Sequence, residues 1–191
     1  MRATTDTRTS ILDLAQDFIQ TRSMTGFSFQ DLAKGVGVKK GSLYYHFESK
    51  EELVIALLER AQDKLIDSFR QVENASAFVR LETYLNIYGT YFGASKKMCP
   101  GGSFASIWGT VSEPLKKVIQ QLGETHINEI TRIVESGRGS GEFKQTDSSP
   151  REVAIWIVST VQGAMLTSRM MESDSSFKIT MKQLKDFLKN S

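Results

Sequence analysis

Residues 28–47 read SFQDLAKGVGVKKGSLYYHF. Ser28 with Asp31 three residues on is a helix start, because the serine oxygen and the carboxylate serve the unpaired first-turn amides. Phe29, Leu32, Ala33 and Val36 then recur at helical spacing. Gly35 and Gly37 allow a tight turn, after which a second short helix spans about Lys39 to His46. Ala33, four residues before Gly37, is small enough to let the two helices approach, with Leu32, Val36, Val38 and Leu43 as their shared core. This is the pattern of a helix-turn-helix, whose second helix enters a DNA major groove. Lys39 and Lys40 open that helix, and Ser42, Tyr44, Tyr45 and His46 offer groups suited to phosphates and base edges. From Lys34 to Lys50 there are four lysines against one acid, a local charge of +3. One tyrosine of the adjacent pair is expected to face inward, leaving Tyr44 open to a core reading.

Outward from this segment the spacing stays helical. Upstream, Ile11, Leu12, Ala15, Phe18 and Ile19 form a stripe that ends at Gly26. Downstream, Ser49 and Glu52 form a capping box for a long helix carrying Leu53, Val54, Leu57, Ala61 and Leu65. Phe78, Leu81, Leu85, Tyr88 and Phe92 repeat at steps of three and four, and a short apolar piece, Phe104 to Val111, follows the Gly101–Gly102 break. Pro114 starts a helix striped by Leu115, Ile119, Leu122, His126, Ile130 and Ile133, which the glycines at 137–141 are expected to stop. A second capping box, Ser149-Pro150-Arg151-Glu152, opens a mostly apolar helix to about Met171, and the last helix is placed near Thr180–Asn190. The prediction is an all-α chain of about nine helices, with a three-helix head over 5–65 and a helical remainder over 66–191.

Composition narrows the class. The chain has 191 residues, 40% hydrophobic and 24% charged, with a net charge of +2, so any basic footprint is local rather than global. No apolar run exceeds the six residues of Leu53 to Leu58, against about 20 for a membrane span. With a polar start lacking an apolar signal core, the expected location is the cytoplasm. A single cysteine, Cys99, excludes an intrachain disulfide and a cysteine-rich zinc site. The two histidines lie too far apart to share a helical face, so no metal site is expected, and no cofactor either.

The stretch KGSLYYHFESKEEL at 40–53, with TRTSILDLAQDFI at 7–19 and FSFQDLAKGVGV at 27–38, resembles the TetR family of transcriptional regulators. The resemblance implies a DNA-binding head followed by a ligand-binding and dimerisation domain. It also implies a homodimer on a palindromic operator in double-stranded DNA, and a small-molecule effector whose binding releases a repressor. By this resemblance Ser28 contacts phosphate, Lys39, Lys40, Gly41, Ser42, Tyr44, Tyr45 and His46 lie against DNA, and Lys50 clamps a phosphate. Lys39 departs from the family, where a small polar residue is common.

The remaining candidates lie further along. Tyr84, Tyr88, Tyr91, Phe92, Phe104, Trp108 and His126 are the residues expected to line an effector pocket, with core packing as the plainer reading. His126 falls on an apolar stripe and reads first as a core histidine satisfied by one hydrogen bond, with a polar group inside a pocket as the alternative. Cys99, beside Lys96 and Lys97, is a candidate redox thiol or a buried small apolar group. A helical enzyme with Cys99 as nucleophile and His126 as base is the competing class, but it leaves the lysine-rich helix-turn-helix unexplained, and no enzyme is expected. Dimerisation is assigned to 150–190, through Val153, Ala154, Ile157, Val158, Val161, Ala164 and Met165, with Gly163 permitting close approach, and through Phe177, Met181, Leu184 and Leu188 of the last helix.

Overall fold

The computed structural model describes residues 6–92 and 97–190, Phe92 by its backbone alone. Among the described residues eight α-helices run in order: α1 (Thr7–Arg22), α2 (Phe29–Val36), α3 (Lys40–His46), α4 (Lys50–Arg70), α5 (Ala77–Phe92), α6 (Glu113–Gly139), α7 (Pro150–Met170) and α8 (Ser175–Leu188). Short 3-10 segments occupy Met24–Gly26 and Gly102–Thr110. Among the described residues there is no strand, and an isolated bridge pairs Phe143 with Lys189.

The chain divides into two compact units, Met1–Gln62 with Pro100–Leu122, and Asp63–Cys99 with Gly123–Ser191. The expected split near residue 65 is linear, whereas here the segment from Pro100 joins the first unit. The reason is its apolar side chains: Phe104, Val111, Leu115 and Leu122 are buried in the same core as Ile11, Leu12, Ala15, Phe18 and Ile19 of α1. Leu32 and Leu43 are fully buried there, with Val36 and Val38 packed at the edge.

Local capping follows the sequence closely. The Ser28 and Asp31 pair forms a reciprocal box on α2, and Ser149 with Glu152 does the same on α7. At α4 the box is displaced by one residue. Ser49 Oγ accepts from the Glu52 amide at 3.1 Å, while the Glu52 carboxylate takes the amide of Glu48 at 2.6 Å.

In the second unit the core joins α5, the latter part of α6, α7 and α8. Val153, Ala154, Ile157, Val161, Ala164 and Met165 are all buried in it, as are Phe177, Met181, Leu184 and Leu188, and Val158 packs against it half-buried. These were the side chains assigned to a dimer contact, and they are committed inside the protomer. α8 begins at Ser175, earlier than the expected Thr180, because the buried Ser168 Oγ accepts the Phe177 amide at 2.8 Å and anchors the first turn.

The glycine run at 137–141 also differs from its reading as a stop. α6 continues through Gly139, and Gly137 lies inside it because the Phe143 ring leaves no room: a Cβ there would sit 2.4 Å from the ring. Gly141, at φ +78°, makes the turn. Glu142 then accepts from the amides of Ala77 and Phe78 at 3.1 and 3.0 Å, capping α5 from 65 and 64 residues away. These hydrogen bonds, that from Phe78 foremost, hold its carboxyl below the usual range. The Lys144 amide donates to the Leu188 carbonyl at 3.0 Å, which ties the end of α8 to the same loop.

Candidate functional site

α2 and α3 meet across a turn in which Gly37 takes φ +80° and its amide donates to the Ala33 carbonyl at 3.0 Å. With Leu32, Ala33 and Leu43 turned into the core, the opposite face of α3 and its leading residue carry Lys39, Lys40, Gly41, Tyr44 and Tyr45, all exposed. Ser42 and His46 are half-buried on the flank. Neither tyrosine of the pair is buried. Tyr44 packs its ring on Phe29 at 5.1 Å and stays 50% exposed, while Tyr45 is 86% exposed, edge-on to His46. Lys39 is the residue preceding α3, and Lys40 Nζ lies 5.9 Å from the Tyr44 ring centroid. A Cβ at Gly41 would meet no atom of the chain within 4 Å.

Two of the expected contact residues are engaged within the protein. Ser28 gives its amide and hydroxyl to the Asp31 carboxylate, both at 2.7 Å, and accepts the Asp31 amide. Lys50 turns its ammonium inward, donating to the Phe27 carbonyl and lying 4.0 Å over the Phe27 ring centroid. Desolvation lowers its pKa, and the Asp31 charge acts the other way. Lys50 is thereby a strut between α4 and the junction of α1 and α2. Lys50→Met is expected to weaken DNA binding through loss of that strut, leaving the salt dependence of binding unchanged. Lys40→Ala is expected to shallow the slope of log K against log salt by about one unit. Titrations at several salt concentrations check both, and a slope change of about one in Lys50→Met would restore the phosphate clamp.

The second unit gathers another set. Tyr84, Tyr88 and Tyr91 follow one face of α5, and His126 of α6 meets them, its ring 5.8 Å from Tyr84 and 5.9 Å from Tyr88. The Tyr88 hydroxyl is 3.1 Å from His126 Nδ1. Burial drives the His126 pKa down to about 4, so the imidazole is neutral at neutral pH. Burial likewise raises the tyrosine hydroxyls, Tyr91 to about 12. Cys99 is buried in this same core. Of the other expected pocket residues, Phe104 and Trp108 belong to the first unit, Phe104 in its core and Trp108 partly exposed. The Phe92 side chain, like Lys96, lies outside the described residues.

One surface was not anticipated. The outer side of α7 and α8 exposes Ile155, Trp156, Leu166, Met170, Ile179 and Phe187, with Trp156 and Phe187 in ring contact at 5.1 Å. Gly163, exposed among them, has nothing within 4 Å of a would-be Cβ. The sequence signal was present in Ile155, Trp156 and Leu166, which fall off the core stripe of α7. Among the described residues no cluster of His, Cys, Asp or Glu is arranged to hold a metal ion, and no helix is long and apolar enough to cross a membrane.

An exposed basic recognition helix on a three-helix head, joined to a helical body, defines a helix-turn-helix protein. Residues 11–57 match the family model described as bacterial regulatory proteins, tetR family. That match gives the head over these residues the TetR-family type of DNA-binding sequence. The chain is similar to the transcriptional repressor KstR2 of Mycobacterium tuberculosis, 37% identical over 70 residues that cover 37% of this chain and 35% of the relative. The chain thus spans about a third of the length of the curated relatives it matches first. Its fold is that of a TetR-family regulator from Agrobacterium tumefaciens, with a TM-score of 0.89, 21% identity and coverage of 96% and 98% of the two chains. A TetR regulator from Legionella pneumophila gives 0.88 at 24% identity, covering 99% and 100%.

Proposed function

We propose that the protein is a DNA-binding transcriptional regulator, a repressor that holds a palindromic operator as a homodimer and leaves it when a small-molecule effector binds. The observation that carries this reading is the exposed run Lys39, Lys40, Gly41 and Tyr45, set on a closed helix-turn-helix core. In this reading Lys39 and Lys40 neutralise phosphates and Tyr45 reaches base edges. Gly41 gives the duplex room, and Ser42, Tyr44 and His46 flank the contact. The head is residues 5–65 as the sequence delimits it, and the rest of the chain serves the effector and the partner.

The dimer forms through the outer side of α7 and α8, within residues 150–190. Six large apolar side chains around an open glycine are an unusual surface for a lone protomer, and two copies related by a two-fold axis cover each other's. The effector enters the second unit at Tyr84, Tyr88, Tyr91 and His126. α4 belongs to the head at its start and to the second unit from Asp63, so it is the element through which effector occupancy is expected to bias head spacing.

Selection from a random double-stranded DNA pool with the purified chain tests the reading. The expected product is an inverted repeat with half-sites about 10 base pairs apart or a multiple of it. Enriched DNA without two-fold symmetry would refute the dimeric repressor.

A further inference from the structure

Within the second unit, α5 and α8 leave a trough of about 310 Å³ between them. α5 lines it with Glu82, Leu85, Asn86 and Gly89, one helical face, while Tyr84, Tyr88 and Tyr91 take the opposite face. Leu85 and, from α8, Phe177 and Met181 belong to the buried core, so the floor is apolar. None of the exposed apolar side chains assigned to the partner lines the trough. The two helices run antiparallel: Lys185 pairs with Glu82 at 2.9 Å at one end, and Gly89 meets Phe177 at the other. Gly89 keeps that second end open. A glycine weakens a helix interior, and the packing among the described residues does not call for one here. Its φ is not positive, and a Cβ would sit 3.9 Å from the Phe177 ring, an ordinary contact. The charges on the rim are uneven. Lys178 pairs with Asp174 and Lys185 with Glu82, both acids of the lining. Lys182 pairs instead with Asp186, which lies outside it, so the lining carries three lysines against two acids. The Lys182 and Asp186 side chains are 72% and 57% exposed, and an ion pair in that much water is readily exchanged for another anion.

We propose that the trough between α5 and α8 binds medium-chain aliphatic carboxylates, with the carboxylate on Lys182 and the hydrocarbon laid along Met181 and Phe177 toward Gly89. The inference goes beyond the repressor reading and does not rest on it. From Glu82 to Gly89 the trough runs about 10 Å along α5, at 1.5 Å per residue, which suits a chain such as octanoate. Burial of methylenes on the apolar floor supplies most of the attraction, and the Met181 thioether adapts to the chain's shape. The Lys182 ammonium supplies a charge-assisted hydrogen bond to the head. An alcohol of the same length keeps the first contribution and loses the second. A short acid keeps the second and loses the first. An alkylammonium sets its charge against the lysines.

Calorimetric titration of the full chain with octanoate, octanol, butanoate and octylammonium tests the site. Octanoate is expected to bind about tenfold or more tightly than octanol and about a hundredfold more tightly than butanoate, with octylammonium also weaker than octanoate. Lys182→Gln, a change at an exposed side chain, is expected to bring octanoate down to the affinity of octanol and to leave octanol unchanged. Gly89→Leu fills the open end and is expected to weaken octanoate and octanol alike by about tenfold or more. Without ligand that variant should unfold at the same or a higher temperature, because leucine is the better helix former. No octanoate binding, octanoate bound no more tightly than octanol, or octylammonium bound more tightly than octanoate overturns the proposal. Octanoate binding unchanged in Lys182→Gln overturns it whatever the leucine does. None of these readouts involves operator DNA, so the site and the repressor reading fail separately.

Discussion

Leu166→Glu is expected to give a folded protein that sediments as a monomer and binds operator roughly a hundredfold or more weakly. Leu166 is 52% exposed in the protomer, beside the open space at Gly163, so the carboxylate costs little within one chain. Across a closed two-fold contact the same carboxylate is desolvated twice, once from each copy, with no cation to meet it. Loss of the dimer separates the two half-site contacts, and the second no longer benefits from the high local concentration that the first provides. Val161→Glu is a different experiment. Val161 is fully buried within the protomer, and a charge there is expected to unfold the second unit rather than release a partner. Sedimentation velocity with operator titration reads both variants. A dimeric Leu166→Glu protein with unchanged operator affinity would remove α7 and α8 from the interface.

Gly41→Leu is expected to weaken binding to operator and to unrelated DNA alike, by roughly a hundredfold, without lowering the stability of the free protein. A glycine within a helix costs about 1 kcal/mol relative to alanine, and this one has no compensation inside the chain. It shows no positive φ, and no atom lies within 4 Å of a would-be Cβ. The empty volume stands beside Lys40 on the exposed face of α3, where a duplex backbone would come closest. A leucine there fills the approach. Thermal unfolding and a fluorescence titration at fixed salt measure the two effects separately. Wild-type affinity in Gly41→Leu would mean that the duplex does not approach this end of α3.

The head was legible because its signals are local. Ser28 with Asp31, Gly37, and the stripe of Ile11, Leu12 and Ala15 each act within two turns of their own position. Long-range facts were not. α7 is apolar on several sides, and the sequence reading put Val161 in the dimer contact although it faces the core, while the off-stripe Leu166 is exposed. That distinction depends on where α5 and α8 pack. The family resemblance placed Lys50 on a phosphate, and nothing in the sequence showed the Phe27 carbonyl that receives its ammonium. Gly137 read as a stop because the ring that needs its missing side chain, Phe143, belongs to the following loop. The Tyr84 cluster was legible as a set of aromatic residues, but not its close packing, which depends on rings from α4, α5 and α6.

The chain passes between the two units three times, after Gln62, after Cys99 and after Leu122. Head exchange among relatives, by recombination in nature or by grafting in the laboratory, is therefore not a single splice here. A hybrid joined after Gln62 would bring a foreign α1 to α4 against resident Phe104, Val111, Leu115 and Leu122, side chains selected for a different interior. A transplantable reading head from this protein is a two-piece part, residues 1–62 together with 100–122. Sequence change in the second piece is constrained by the first, although 37 residues, 63–99, separate them along the chain.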